Sequence, residues 1–157
     1  MTFRMKTWRS TAENKRHNWE EERPYGTVTR TQYNGVRRRK NACHSVKGGV
    51  KIFDGSFVAI DANGLAVPGA KATNLIAAGR AEEYIDNSLG ADGDATIRVR
   101  RGVFKWNNAA TGAVTAKDML KSCYFVDDET VTATATGSSV AGKVIGIDGS
   151  YVVVETL

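Results

Sequence analysis

Apolar and polar residues alternate in short runs from about residue 51 to the end of the chain, with turn residues between the runs. The run Phe57–Ile60 leads through Asn63-Gly64 to residues 65–67, and Asn-Gly favours a hairpin because both residues tolerate positive φ. Two further runs, residues 141–147 and 151–155, meet at Asp148-Gly149 and predict a second hairpin. Many short strands with little helix predict an all-β fold, a small compact β-sandwich or a barrel-like domain.

The longest alternation covers residues 96–106, which have apolar side chains at every second position over most of the run. Gly102 interrupts this run. We expect it to form a β-bulge that resets the register and turns Phe104 or Trp106 toward the core.

Two segments are ambiguous between helix and strand. Residues 74–85 fit either on propensity, and Gly79 in the middle favours a strand. Residues 115–121 begin with Thr115 as a cap and carry Asp118 in the first turn, which predicts one short helix of about two turns.

The first 50 residues have a different character, because charged residues dominate and no clear period emerges. Residues 1–51 hold 13 Lys/Arg and 4 Glu, a net charge of +9, whereas residues 52–157 hold 9 Lys/Arg and 13 Asp/Glu, a net charge of −4. We therefore divide the chain into a basic, extended N-terminal arm (1–50) and a β-rich domain (51–157). Within the arm, residues 27–33 alternate and end at Asn34-Gly35, which predicts one strand of a short hairpin.

Few residues suggest chemistry. His17 and His44 are the two histidines, and Cys43-His44 has no companion pair at metal-ligand spacing. The acidic clusters at residues 92–94 and 127–129 are interpreted as solvated turns. We expect no enzyme activity, no cofactor and no metal.

The two cysteines, Cys43 and Cys123, are expected to be free thiols, because no secretion signal is recognisable. No stretch approaches the roughly 18 consecutive apolar residues of a membrane span, so no membrane partner is expected. These features predict assembly in a cytoplasm.

The run Arg37-Arg38-Arg39-Lys40 has three interpretations: a solvated face, a nucleic-acid contact, or a docking segment for an acidic protein surface. Nucleic-acid binding usually interleaves aromatic and basic residues, and here Trp8, Trp19 and Tyr25 are offset from the run. Docking on a protein is favoured, and nucleic acid remains the less favoured partner. A third alternative is a receptor- or glycan-binding role carried by the loop at residues 107–113.

Several strand-and-turn segments in the second part of the chain resemble one protein family. They are residues 55–68, 81–94, 97–104, 126–132 and 140–144. These segments are similar to those of tailed-bacteriophage capsid decoration (cement, head-stabilising) proteins, and the region from residue 51 to 157 covers about two thirds of the chain.

The resemblance implies a β-tulip-like domain and a homotrimer on the capsid exterior of a virion, with the major capsid protein as partner. The function would be to stabilise the head against internal DNA pressure. The alternative is a nucleic-acid-binding module that acts through the arm. The candidate capsid contacts, all in the arm, are Trp8, Arg9, Trp19, Tyr25, Arg37, Arg38, Arg39 and Lys40.

Overall fold

A computed structural model describes residues 41–156 of the chain. Within these residues the secondary structure is almost entirely strand, so the predicted all-β class is confirmed. The strands are β1 (Asn41–Ser45), β2 (Val50–Ile52), β3 (Phe57–Ile60), β4 (Ala66–Pro68), β5 (Ile76–Ala81), β6 (Ile85–Asn87), β7 (Thr96–Arg100), β8 (Gly102–Asn108), β9 (Ser122–Phe125), β10 (Thr130–Thr132), β11 (Val140–Asp148) and β12 (Tyr151–Thr156). One 3₁₀ turn (Ala116–Asp118) lies between β8 and β9.

The second half of the domain forms a closed five-stranded barrel in the order β10-β8-β12-β11-β9. Its pairs are antiparallel except for the parallel pair of β10 and β8. Closure gives every barrel strand a neighbour on both sides, and the closing contact of β10 with β8 covers two positions. The barrel alternative of the predicted fold is therefore confirmed for this part of the chain.

The first half forms a five-stranded antiparallel sheet in the order β1-β7-β5-β3-β4. The residue after β1, Val46, makes an isolated parallel bridge to Ala66 of β4, so the sheet curls until its two outer strands approach. A separate two-stranded ribbon of β2 and β6 accompanies this sheet.

Strand β3 contributes side chains to two hydrophobic cores. Phe57 and Ala59 are buried in the core that fills the barrel, whereas Val58 is buried in the core of the five-stranded sheet. This split follows from the alternation of side chains along a strand. Phe57 stacks on Trp106 of the barrel with ring centroids 3.5 Å apart, so the two halves share one strand.

Both predicted hairpins are confirmed, and the first has a different turn from the one expected. Of the pair Asn63-Gly64, Gly64 has positive φ (+81°), and Gly64 N–H donates to the Asp61 carbonyl at 3.0 Å. The loop is thus a three-residue connection with a glycine bulge, rather than a two-residue turn. The Asp61 carboxylate accepts the N–H groups of Asn63 and Leu65 and so fixes the loop.

The predicted bulge at Gly102 is wrong, because the long alternating run is two strands in different sheets. β7 ends at Arg100 in the five-stranded sheet, and β8 begins at Gly102 in the barrel. Gly102 has φ of +158°, close to extended backbone, and the chain crosses between the two halves at this point. Phe104 and Trp106 are both buried, as a continuous β8 requires.

The predicted two-turn helix is also shorter than expected. Its first turn forms, and the Asp118 carboxylate accepts both the N–H and the hydroxyl of Thr115. The helix then stops, because Leu120 adopts φ of +64° and donates its N–H to the Val144 carbonyl of β11. Pairing with the barrel therefore replaces the second turn.

The charge pattern predicts that residues 41–50 belong to the arm, and this boundary is wrong: in the structure these residues belong to the folded domain. β1 pairs with β7 over five residues, and Val46 is completely buried. The arm strand predicted at residues 27–33 lies outside the described residues. The segment 74–85 forms β5 and the start of β6, as Gly79 indicated.

Candidate interaction surfaces

The capsid contacts predicted from the sequence all lie outside the described residues and stay a prediction. They are Trp8, Arg9, Trp19, Tyr25, Arg37, Arg38, Arg39 and Lys40. The described part begins at Asn41, the residue directly after the basic run, and Asn41 is the first residue of β1. The surface around β1 is therefore the place where the arm joins the domain.

Arginine side chains line the sheet beside β1, and glutamates neutralise them. Glu83 accepts the main-chain N–H and the guanidinium of Arg98, which holds the pKa of Glu83 below its ordinary value. Glu82 accepts from Arg80 at 2.9 Å and from Arg100 at 3.2 Å. These pairs are partly exposed and are expected to contribute little to stability.

The same arginines contact the aromatic core at the boundary between sheet and barrel. The guanidinium carbons of Arg80 and Arg100 lie 4.7 and 5.4 Å from the ring centroid of Phe104. Both distances are within cation–π range. The two arginines thus pack the sheet against the first residues of β8, next to the crossover at Gly102. The sequence pattern does not indicate this cluster, because Arg80 is distant along the chain from Arg100 and Phe104.

On the opposite face of β1, His44 is half-buried, and its Nε2 has no hydrogen-bond partner. Burial, and secondarily the nearby Arg101 guanidinium, lower the pKa of His44. The ring is therefore neutral at pH 7 and acts as a packing group. Cys43, its neighbour, is exposed on the other face, and Cys123 is buried in the barrel; both are free thiols.

A groove of about 630 Å³ separates the start of β5 from the barrel. Ile76 and Val140 stand at its rim with 67% and 47% of their surface exposed. Ser139 bridges its two walls, because its hydroxyl donates to the Ala72 carbonyl and accepts the N–H of Leu75. Through Ser139, the loop at residues 137–139 thus contacts the segment that precedes β5.

The acidic clusters serve the backbone of turns, as predicted. Asp92 accepts the N–H of Gly48, Asp94 that of Ala91, and Asp127 that of Glu129. Within residues 41–156, no group of three or more His, Cys, Asp or Glu side chains is arranged to hold a metal ion.

The loop at residues 107–113 borders a cavity of about 360 Å³ that Lys71 also lines. Asn108 fixes this loop, since its side chain donates to the carbonyl of Val114 and accepts its N–H, both at 2.8 Å. A second exposed feature is the ring pair of Phe53 and Tyr84, with centroids 5.5 Å apart.

No protein-family model, no curated protein and no solved structure matches the chain. Over the described part of the chain, no helix has the length and apolar character that a membrane crossing needs.

Proposed function

We propose that this chain is a structural capsid decoration protein. It binds the outer surface of a phage head as a homotrimer, with the major capsid protein as partner, and stabilises the shell against internal DNA pressure. The observation that carries the proposal is the resemblance in residues 55–68, 81–94, 97–104, 126–132 and 140–144. These segments contain the β3–β4 hairpin, the strand β6, most of β7 with the start of β8, and β10 with the start of β11.

The packing of the domain suits a load-bearing role. Two cores are joined through β3, and the crossover from β7 to β8 is held by arginines on Phe104. Closely packed interiors resist deformation, which suits a protein that must hold a shell under pressure. Its charged groups are used in surface ion pairs and turn caps, which supports a structural rather than a catalytic role.

Attachment is assigned to the basic arm. Residues 1–40 hold 11 Lys/Arg and 4 Glu, a net charge of +7 that suits an acidic surface, and Trp8 and Trp19 supply aromatic anchors of the kind that dominate protein interfaces. Many identical weak contacts around a closed shell give high avidity without a tight single site. The role is therefore that of a clamp repeated over the lattice.

Deletion of residues 1–25 tests the arm. We expect the truncated chain to keep the far-UV spectrum and thermal unfolding of a folded β domain but to lose binding to expanded heads that lack the protein. The full chain is the positive control. Undiminished binding by the truncated chain, or failure of the full chain to bind heads, would refute the proposal. Sedimentation equilibrium of the full chain tests the homotrimer directly.

The alternative, nucleic-acid binding through the arm, rests on the same positive charge of residues 1–40. It predicts retention of duplex DNA with affinity that falls steeply as salt rises, because each phosphate contact releases counterions. Filter binding across a salt series separates the two functions. Tight, salt-sensitive DNA binding together with no binding to heads would replace the first proposal by the second.

A further inference from the structure

The side chain of His44 is directed toward the core of the five-stranded sheet. In the β1–β7 ladder His44 lies opposite Ile97, and the side chains of directly opposed residues project from the same face of a sheet. Ile97 is completely buried in this core, together with Val99, which lies opposite Ala42. The imidazole of His44 therefore occupies a position that an apolar side chain would ordinarily fill.

The buried nitrogen of this ring has no hydrogen-bond partner. Nε2 of His44 is shielded from solvent, and no group among residues 41–156 forms a hydrogen bond with it. A neutral imidazole carries one N–H group, whereas an imidazolium carries an N–H on both of its nitrogens. Protonation of His44 therefore places a donor at Nε2 without an acceptor, and a buried unsatisfied donor on a charged group is costly.

A neighbouring guanidinium opposes a positive charge on His44. Arg101 lies between β7 and β8, and its Nε donates to the Ala78 carbonyl of β5 at 3.3 Å, which holds the side chain against the sheet. Its charge repels an imidazolium at His44. Burial of the ring and, secondarily, this repulsion hold the pKa of His44 below its ordinary value of 6.5.

The carboxylates of the sheet do not compensate this repulsion. The arginines of β7 alternate with Ile97 and Val99, so they project from the face opposite to His44, and the two glutamates after β5 pair with them there. Asp61, in the β3–β4 loop, pairs with Lys47. Over the described part of the chain, no carboxylate forms an ion pair with His44.

His44 is also the middle hydrogen-bonded residue of the β1–β7 ladder. The N–H of Val46 donates to the carbonyl of Ala95 at 2.8 Å, in register with this ladder. Because hydrogen-bonded pairs alternate in antiparallel strands, the main chain of His44 bonds to that of Ile97. An imidazolium at this position reaches water only by leaving the core, and that movement disturbs the centre of the ladder.

We propose that His44 makes the attachment of β1 to the sheet dependent on pH: protonation drives the ring out of the core and detaches β1 from β7. His44 is the one histidine within residues 41–156, so the barrel has no corresponding group. Because β1 is the strand that joins the N-terminal arm to the domain, its release also frees the arm. The inference holds whether or not the chain binds phage heads.

Amide hydrogen exchange of the full chain at about pH 7 and about pH 5.5 tests this inference. A histidine whose pKa is lowered on folding contributes stability above its ordinary value of 6.5 and loses it as pH falls below that value, by at most about tenfold per pH unit in the opening equilibrium. We expect the protection factors of the Ala42 and His44 amides to fall by about fivefold to tenfold. Those of β12, in the barrel, should stay constant.

Three variants locate the response. His44→Phe keeps an aromatic ring but cannot be protonated, so the protection of β1 should no longer change between the two pH values. His44→Gln is the second variant if His44→Phe does not fold. His17→Gln, which removes the other histidine of the chain, is the matched control and should keep the pH dependence of the wild type.

An NMR titration of the His44 ring in the wild type adds an independent readout, and the ring should titrate below 6.5. A ring that titrates at 6.5 or above, or protection of β1 that does not change with pH, would overturn the inference. An equal loss of protection in β12, or an undiminished pH dependence in folded His44→Phe protein, would also overturn it, because the response would then not originate at His44.

Discussion

Replacing Phe57 by alanine tests whether the sheet and the barrel fold as one unit. Phe57 belongs to β3, which pairs in the sheet, but its completely buried ring lies in the barrel core. The ring stacks on Trp106 at 3.5 Å and meets Phe125 edge-on at 5.0 Å. The side chain of Phe57 therefore packs in the barrel core, whereas its backbone pairs within the five-stranded sheet.

The expected cost is large. Truncating a buried phenylalanine to alanine typically costs about 3–5 kcal/mol, because burial is lost and a cavity remains. Two aromatic contacts place Phe57 toward the upper end of that range. A loss of about 4 kcal/mol is a large fraction of the roughly 5–15 kcal/mol by which domains are stable. At roughly 4 °C per kcal/mol, the melting temperature should fall by about 15 °C.

Urea unfolding followed by both tryptophan fluorescence and far-UV circular dichroism measures this cost. Phe53→Ala is the matched control: the same substitution four residues earlier, at a ring that is 58% exposed. It should change stability by less than about 1 kcal/mol. Because one strand serves both cores, we expect the two probes of Phe57→Ala to report a single transition at a lower midpoint.

Two results would refute this reasoning. A loss no larger than that of Phe53→Ala would mean that the ring does not connect the halves. Separate transitions, with fluorescence changing before circular dichroism, would mean that the barrel unfolds independently of the sheet.

Three further predictions follow from the described residues. Gly79→Ala should destabilise the protein by several kcal/mol in urea unfolding, because Gly79 has φ of +142° and a Cβ atom there would overlap the carbonyl of Arg100. Asp61→Asn should lower the melting temperature at pH 7. The hydrogen bond from the Leu65 N–H, with those from Lys47 and Asn63, lowers the pKa of Asp61, so its stabilisation is present above the ordinary carboxyl pKa and is lost as pH falls through the lowered value, where the melting temperatures of the two proteins should converge. A thiol reagent at pH 8 should modify Cys43 quickly in the native protein and Cys123 only after unfolding, because burial raises the pKa of Cys123 to about 12.

Local features of the fold could be predicted from the sequence because their causes are local. The β3–β4 and β11–β12 hairpins follow from alternation beside Asn-Gly and Asp-Gly pairs, which act over a few residues. The strand at Gly79 could be predicted for the same reason.

Non-local pairing could not be predicted in this way. Residues 96–106 alternate as one strand would, and nothing in the alternation distinguishes a bulge at Gly102 from a crossover between sheets. The predicted second helical turn after Asp118 does not form, because the N–H of Leu120 donates to the carbonyl of Val144, 24 positions further along the chain. Strand β1 could not be predicted, because it lacks the large apolar side chains whose alternation indicates a strand.

The stability of the fold and the proposed attachment depend on different parts of the chain, and salt should distinguish them. The two cores are apolar, and the ion pairs of the domain, such as Arg98 with Glu83, are exposed and contribute little to folding. The proposed attachment depends instead on the charge of the arm, and screening shortens the reach of that charge from about 10 Å at 0.1 M salt to about 3 Å at 1 M. High salt should therefore weaken the proposed attachment while the domain stays folded.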